Sequence, residues 1–359
     1  MDLEDEIIML PGPVPVAPRI LRAMSRPMIN HRGEEFKEIF GRIEKGLKEI
    51  MQTENDVFVL SGSGSCAMEA AISNIIKNEK ILTIVNGKFG DRFHEIAKRY
   101  GDPVPLEYEW GDPIEPDDVR RIVEEEKDLK AVAMVHNETS AGITNPAPEI
   151  AEIARENDLL FVMDGVTSIG GMDVRVDEWG VDIAVLGSQK CLGMPPGLSM
   201  ISVSERAMDR MVESPPLYMD LKAYKKSADK GQTPYTPALP LFYALDEAIN
   251  IVIEEGVDVR IRRHTHLASM VRDAVKEWGL ELFPRLNDVS RYSNTVTAIK
   301  MPEGISADEL RSRAKKMGVV IAGGQERLKG KIFRIGTMGN IREKDVLMVL
   351  EVVGRVLRG

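Results

Sequence analysis

Cysteine is almost missing from this 359-residue chain, with Cys66 and Cys191 as the only two. Two thiols cannot staple a fold of this size, so a disulfide framework is excluded and a reducing, cytoplasmic setting is expected. Aromatic residues are also scarce, at 5%, which leaves the core to aliphatic side chains. No stretch approaches the ~18 apolar residues of a membrane-spanning helix, so no membrane association is expected. The opening residues, MDLEDEIIML, are acidic and lack the basic flank of a secretory signal. Basic charge is not in excess: 47 Lys and Arg face 57 Asp and Glu, a net of −10. Phosphate backbones require clustered Lys and Arg, so nucleic acid is not an expected partner. Glutamine is rare beside a charged fraction of 29%, a composition shared with heat-adapted proteins. Internal repeats and low-complexity tracts are absent.

What is present is a hydrophobic fraction of 43%, enough to build a sizeable core. Residues 1–19 hold Pro11, Pro13, Pro15 and Pro18 and read as an extended N-terminal arm. From Glu34 onward, Phe36, Ile39, Phe40, Ile43, Leu47, Ile50 and Met51 recur at steps of three and four, which predicts a helix with one apolar face. Short apolar runs then alternate with helical stretches: Val57–Leu60, Ile81–Val85, Ala131–Val135, Leu159–Met163, Ile183–Leu186 and Leu198–Val203. Most of these runs are continuous, as expected for strands covered by helices on both faces of a mostly parallel sheet. The pattern changes near residue 250. A helix over Leu241–Glu255, a break at Gly256 and another helix ending at Gly279 precede short strands at Leu280–Phe283, Thr295–Ile299, Val319–Ala322 and Ile332–Ile335. Helices over Ala307–Met317 and Ile341–Leu357 alternate with them. The expected organisation is therefore an arm (1–19), a large α/β domain (20–250) and a smaller C-terminal α/β domain (251–359).

In open α/β sheets, ligands bind beyond the carboxyl ends of the strands. Five of the expected strands end in polar loops: Ser61–Ser65, Asn86–Gly90, His136–Ser140, Asp164–Gly165 and Gly187–Lys190. The first of these, SGSGS, suits an anion. Its glycines admit close approach of backbone N–H groups, and the following helix directs its positive end at the same spot. Gly62, Gly64 and Ala67 also match a dinucleotide pattern, but the next strand ends in Asn86 rather than a ribose-binding acid. The phosphate reading survives that defect. Asp164 closes the apolar run LLFVM, where a carboxylate is expensive to leave unpaired. Lys190 follows another strand. An anion cup, a carboxylate for a pyridinium nitrogen and a lysine for a Schiff base are the three requirements of pyridoxal 5′-phosphate.

At these residues the chain resembles the class V pyridoxal-phosphate aminotransferases, and within them the alanine–glyoxylate and serine–pyruvate group. The likeness runs from Pro11-Gly12-Pro13 to Arg334-Ile335-Gly336. It is carried by SGSGSCAMEAA (61–71), HNETSAG (136–142), DGVTSIGG (164–171), GSQKCLGMPPGLS (187–199), TPYTP (233–237) and FRIG (333–336). The resemblance implies fold type I and a homodimer with sites at the subunit boundary. It implies amino transfer from a small L-amino acid (alanine, serine or aspartate) to a 2-oxo acid (glyoxylate, pyruvate or 2-oxoglutarate) by a ping-pong route. By matched position, Lys190 would form the Schiff base and Asp164 would pair with the pyridine nitrogen. Ser63, Gly64 and Ser65 would form the phosphate loop, with Gln189 beside it and Thr236 reaching it from the partner subunit. Phe89 would stack on the ring, Val166 would pack on its other face, and Thr139 would lie near the ring oxygen. Arg334 would clamp the substrate α-carboxylate. Ser65 and Phe89 stand where many relatives have His and Trp.

The alternatives are another pyridoxal-phosphate reaction, such as a lyase or a phosphonate transaminase, and a nucleotide-binding protein using the Gly62–Ala67 loop. Cysteine desulfuration would need a mobile cysteine in a later loop, and none follows Cys191; Cys191 reads as a buried structural thiol. His264 and His266, two apart on a predicted helix, do not share a face, so no metal pair is expected.

Overall fold

The computed structural model describes residues 6–359; Met1–Asp5 of the expected arm lie outside the described residues. Seven segments pair into the main sheet: β1 (Asp56–Ser61), β2 (Lys80–Val85), β3 (Asp102–Glu107), β4 (Leu129–Val135), β5 (Leu160–Asp164), β6 (Ile183–Gly187) and β7 (Leu198–Val203). Their spatial order is β1-β7-β6-β5-β4-β2-β3. Strand β7 runs antiparallel to both neighbours, and the remaining pairs are parallel. This is the α/β fold with a large, mostly parallel sheet that the apolar runs predict, made mixed by the antiparallel β7.

Alternate strand residues leave on opposite faces, so a strand buried on both sides must be apolar throughout. Val132, Met134, Phe161 and Met163 pack toward helices Glu34–Met51, Ala147–Glu156 and Leu239–Glu255. Their sequence neighbours Ala131, Ala133, Leu160 and Val162 pack toward helices Gly64–Ile75 and Lys88–Tyr100. Strand β3 does not stand out in the sequence. It lies at the sheet edge, is half exposed, and carries Pro103 and Pro105. Prolines are tolerated there because an edge strand has N–H groups with no partner to lose, and they blunt the edge against pairing with other chains.

Strands Val296–Lys300, Ile332–Gly336 and Ala322–Gly323 form a second, three-stranded antiparallel sheet. Helices Val257–Glu277, Ala307–Lys316 and Glu343–Arg358 share its core. Two expected strands differ. Leu280–Phe283 is reduced to a single bridge between Leu282 and Ile299. Val319–Ala322 divides at Ile321, because its two halves pair with different partners.

The arm is also more structured than its prolines suggest. Ile7–Ile8 adds a parallel strand beside Val319–Val320, and Met9 is buried in the smaller core. Pro18 and Arg19 belong to helix Pro18–Met24, since a proline at the first helical position loses no hydrogen bond. We propose that the two units divide at Gly256 rather than after residue 250. Val252 still packs in the large core, whereas Gly256 adopts φ 85° between two helices. Ile7 and Met9 thus share the smaller core with the helix Glu343–Arg358, and the arm crosses from there to the rim of the main sheet.

Candidate active site

The parallel strands deliver their carboxyl ends to one rim. Asp164 ends β5 and pairs in register with Val185 of β6. Three residues after β6 comes Lys190, so the carboxylate and the amine descend from adjacent strands. Both are buried. The Lys190 Nζ donates to the Pro11 carbonyl at 2.5 Å. The arm therefore lies on the lysine, and a methyl group added at Gly12 would stand 2.6 Å from Lys190 Cδ. Gly12 has φ +99°, a conformation that side-chain-bearing residues rarely adopt, so this crossing is built for glycine.

The glycine-rich loop after β1 reaches the same place. A methyl on Gly64 would meet Val166 Cγ2 at 2.9 Å, and one on Gly187 would stand 3.4 Å from Gln189 Oε1 and 3.7 Å from Gly64 Cα. Ser63 precedes helix Gly64–Ile75 but provides no side-chain cap, and it is exposed. The Gly64 and Ser65 N–H groups therefore keep their capacity for another acceptor, whereas Cys66 N already donates to Ser63 O at 2.7 Å. Gln189 Oε1 is buried without a hydrogen-bond partner among the described residues. An uncapped helix start and a buried amine fit a phosphorylated aldehyde better than they fit a closed core.

Thr139 is buried, with Oγ1 2.8 Å from Thr167 Oγ1. Its carbonyl accepts from Arg334 Nη1 at 3.0 Å, and Arg334 Nε donates to Gly323 O at 3.0 Å. Phe89 is half buried at the start of helix Lys88–Tyr100, with the Arg92 guanidinium 4.9 Å from its ring centroid. Arg92 Nη1 in turn donates to Ser65 Oγ at 2.9 Å. Ser65 and Phe89 are thus joined through Arg92, and Thr139 is joined to Arg334, while Val166 and Gln189 adjoin the glycine loop; Arg92 and Arg334 both lie near enough to Lys190 to act on its charge.

Glu138 is the residue that motif reading left without a role. Its carboxylate is fully buried and accepts from Phe89 N, Gly90 N and Ser140 N at 3.0–3.1 Å, and from Ser140 Oγ at 2.5 Å. It therefore caps helix Lys88–Tyr100 from another strand, satisfying donors that Gly87 cannot. The signal in the sequence was a lone acid inside an otherwise neutral loop, HNETSAG.

Burial shapes the charges here. Asp164 is pushed up to about 7 by desolvation; the Val166 N–H, which donates to Asp164 Oδ1 at 2.7 Å, opposes the rise, and nearby Glu138 adds to it. Lys190 is lowered to about 8, again mainly by desolvation. Burial also pushes the Glu138 carboxyl up, against the four donors that favour its charge. A raised native pKa means that the folded chain holds a proton the unfolded chain has released, so stability falls as pH rises between the two values. For Asp164 that window runs from 3.8 to about 7. In the cofactor-free protein, the advantage of Asp164→Asn over wild type should grow between pH 5 and pH 8 by on the order of 2–3 kcal/mol. Urea midpoints at the two pH values measure this, and a gap that stays constant would contradict it.

Other polar residues have structural work. Asn86 and Asn145 exchange side-chain hydrogen bonds at 2.8 and 3.1 Å, so Asn86 is engaged where a ribose-binding acid would sit. His136 Nδ1 lies 2.9 Å from Ser168 Oγ, and burial lowers it to about 4. His264 is buried and lowered to about 3, bonded to Arg260 O and accepting from Gly339 N. Cys191 is buried, pushed up to about 12, and donates to Thr167 O. Thr236 stands apart from this cluster. It is exposed, on a segment tied to its own chain through Arg32, which donates to Thr233 O at 2.7 Å.

Comparison with known proteins adds an independent line. The family model described as aminotransferase class-V matches residues 21–342. An uncharacterized aminotransferase of Methanocaldococcus jannaschii is 46% identical over 100% of this chain and 94% of its own. The (S)-ureidoglycine–glyoxylate transaminase of Bacillus subtilis is 37% identical over 98% of this chain and 90% of its own. Among solved structures, an aspartate aminotransferase of subgroup IV from Thermus thermophilus superposes with a TM-score of 0.91 at 34% identity, covering 98% of this chain and 99% of that one.

Proposed function

The chain belongs to the class V aminotransferases, and from that premise we propose that it moves the amino group of a small L-amino acid (alanine, serine or aspartate) to glyoxylate, pyruvate or 2-oxoglutarate. We propose pyridoxal 5′-phosphate as its cofactor. The observation that carries the reading is the meeting of a buried amine, a buried carboxyl and an uncapped glycine loop at one rim. Pyridoxal phosphate, when bound, supplies an exchangeable carbonyl and a ring that absorbs negative charge.

The chain's own residues have these parts. Lys190 would hold the cofactor carbonyl and would serve as the base for the substrate Cα proton. A positioned base of this kind contributes roughly 10²–10⁴-fold. Its lowering to about 8 leaves a useful neutral fraction at neutral pH. Asp164 would pair with the pyridine nitrogen and keep it protonated, and a cationic ring would ease the cost of the buried carboxylate. Ser63, Gly64, Ser65 and Gln189 would bind the phosphate, Phe89 and Val166 would flank the ring, Thr139 would lie near the ring oxygen, and Arg334 would hold the substrate carboxylate.

Thr236 would complete the phosphate site of a second copy in a homodimer. Beside its segment, Leu217 is 79% exposed, and exposed Tyr218 stacks on Tyr235 with ring centroids 4.9 Å apart, an apolar surface suited to a second copy. The unpaired thiols Cys66 and Cys191 accord with a cytoplasmic home.

Borohydride reduction after addition of pyridoxal phosphate, followed by peptide mass mapping, tests the reading. The label is expected on Lys190. Turnover should require a 2-oxo acid, and release of products without one would point to a lyase instead. The rate of cofactor uptake should rise through about pH 8, because only the neutral Lys190 amine attacks a carbonyl. A rate flat from pH 7 to 9 would contradict that role.

A further inference from the structure

We propose that Arg92 supplies the positive charge that balances the cofactor phosphate, acting both directly and by fixing the Ser65 hydroxyl in the phosphate loop. This deepens the cofactor reading above and rests on it. The chemical group recognised is a phosphate monoester dianion.

Three observations support it. First, Arg92 Nη1 donates to Ser65 Oγ at 2.9 Å, which places a guanidinium against the loop whose helix start has no side-chain cap. Second, the charge is not already spent. Neighbouring Lys88 and Arg327 pair with Glu326 and Asp91, whereas Arg92 forms no ion pair among the described residues and instead lies over the Phe89 ring. Third, a phosphate would add about −2 near neutral pH to a region that already buries the carboxyls of Glu138 and Asp164.

Few groups can offset that. The start of helix Lys88–Tyr100 is occupied by Glu138, so its N–H groups are unavailable to an anion. Arg334 is engaged by Thr139 O and Gly323 O, and is assigned to the substrate carboxylate. Arg92 is the guanidinium that remains at the phosphate end, and its planar fork suits a phosphate oxygen pair. Its charge also lowers the pKa values of both Asp164 and Lys190, as proximity requires.

In sequence, Arg92 lies three residues after Phe89, one turn along the same helix face. One helix would therefore present both the ring-stacking group and the phosphate charge.

The test compares two aldehydes on cofactor-free protein by absorbance titration: pyridoxal 5′-phosphate, and pyridoxal, which lacks the phosphate. For Arg92→Gln, Kd for pyridoxal phosphate should rise roughly 10–50-fold while Kd for pyridoxal changes less than about twofold. Arg92→Lys should recover part of the loss, and Ser65→Ala should lose less than Arg92→Gln. Equal weakening of both aldehydes would mean that Arg92 merely supports Phe89, and no weakening of either would mean that the charge is not used; both results overturn the proposal. If the Gln variant fails to fold, the Lys variant decides: it must weaken pyridoxal phosphate more than pyridoxal. Failure of the wild type to bind either aldehyde would instead sink the cofactor reading itself.

Discussion

Lys190→Ala is expected to lower amino-transfer turnover by at least about 10⁴-fold and to leave no cofactor attached after borohydride reduction. Two losses combine. The substrate Cα keeps its proton because no other base is placed to take it, a loss of roughly 10²–10⁴-fold by itself. The cofactor also loses its covalent hold and the exchange route that starts each turn. The alternative bases do not compensate. His136 is neutral, lowered to about 4 and committed to Ser168, while Glu138 is surrounded by four donors. The fold should survive, because alanine removes a buried amine and leaves only the Pro11 carbonyl without its partner. A thermal unfolding curve checks that point, and steady-state turnover with alanine and glyoxylate checks the main one. Activity within tenfold of wild type would remove Lys190 from the chemistry.

The main sheet was legible because strands buried on both faces must be continuously apolar. The six runs expected from sequence each fall on an observed strand, with ends differing by two residues or fewer. Strand β3 was not legible, since its prolines and half-exposed face follow edge logic rather than core logic. The smaller unit was read less well. Its two-residue strands are fixed by distant partners, as when Val319–Val320 pairs with Ile7–Ile8, and no local pattern records such pairing.

The site divides in the same way. Residues that end strands, such as Asp164, or follow them, such as Lys190, announce themselves by breaking an apolar run. Glu138 and Arg92 do not, because each works through groups far away in sequence: Glu138 through the Phe89 and Gly90 amides, and Arg92 through Ser65. Pro11 is the plainest case. Its contribution is a carbonyl, which any residue possesses, so only the path of the arm reveals it.

Arg334→Gln carries the second large expectation: KM for the amino donor and KM for the 2-oxo acid should each rise by roughly 10²–10³. Both substrates bear an α-carboxylate, so a shared clamp must weaken both, whereas a residue that reads the side chain would affect one. Of its five N–H groups, Nε and one on Nη1 are engaged by Gly323 O and Thr139 O, and the others are left for a carboxylate. Burial lowers the guanidinium to about 10, which still leaves it charged at neutral pH. Lysine at 334 keeps a charge but loses the fork, so Arg334→Lys should recover only part of the affinity. The ratio of turnover with alanine to that with ethylamine isolates the carboxylate contribution. It should fall by the same factor as the affinity, with cofactor uptake unchanged. An Arg334→Gln enzyme that keeps the wild-type ratio would show that the clamp is elsewhere. A loss of pyridoxal phosphate uptake alongside it would assign Arg334 to holding Thr139 and the smaller sheet together instead.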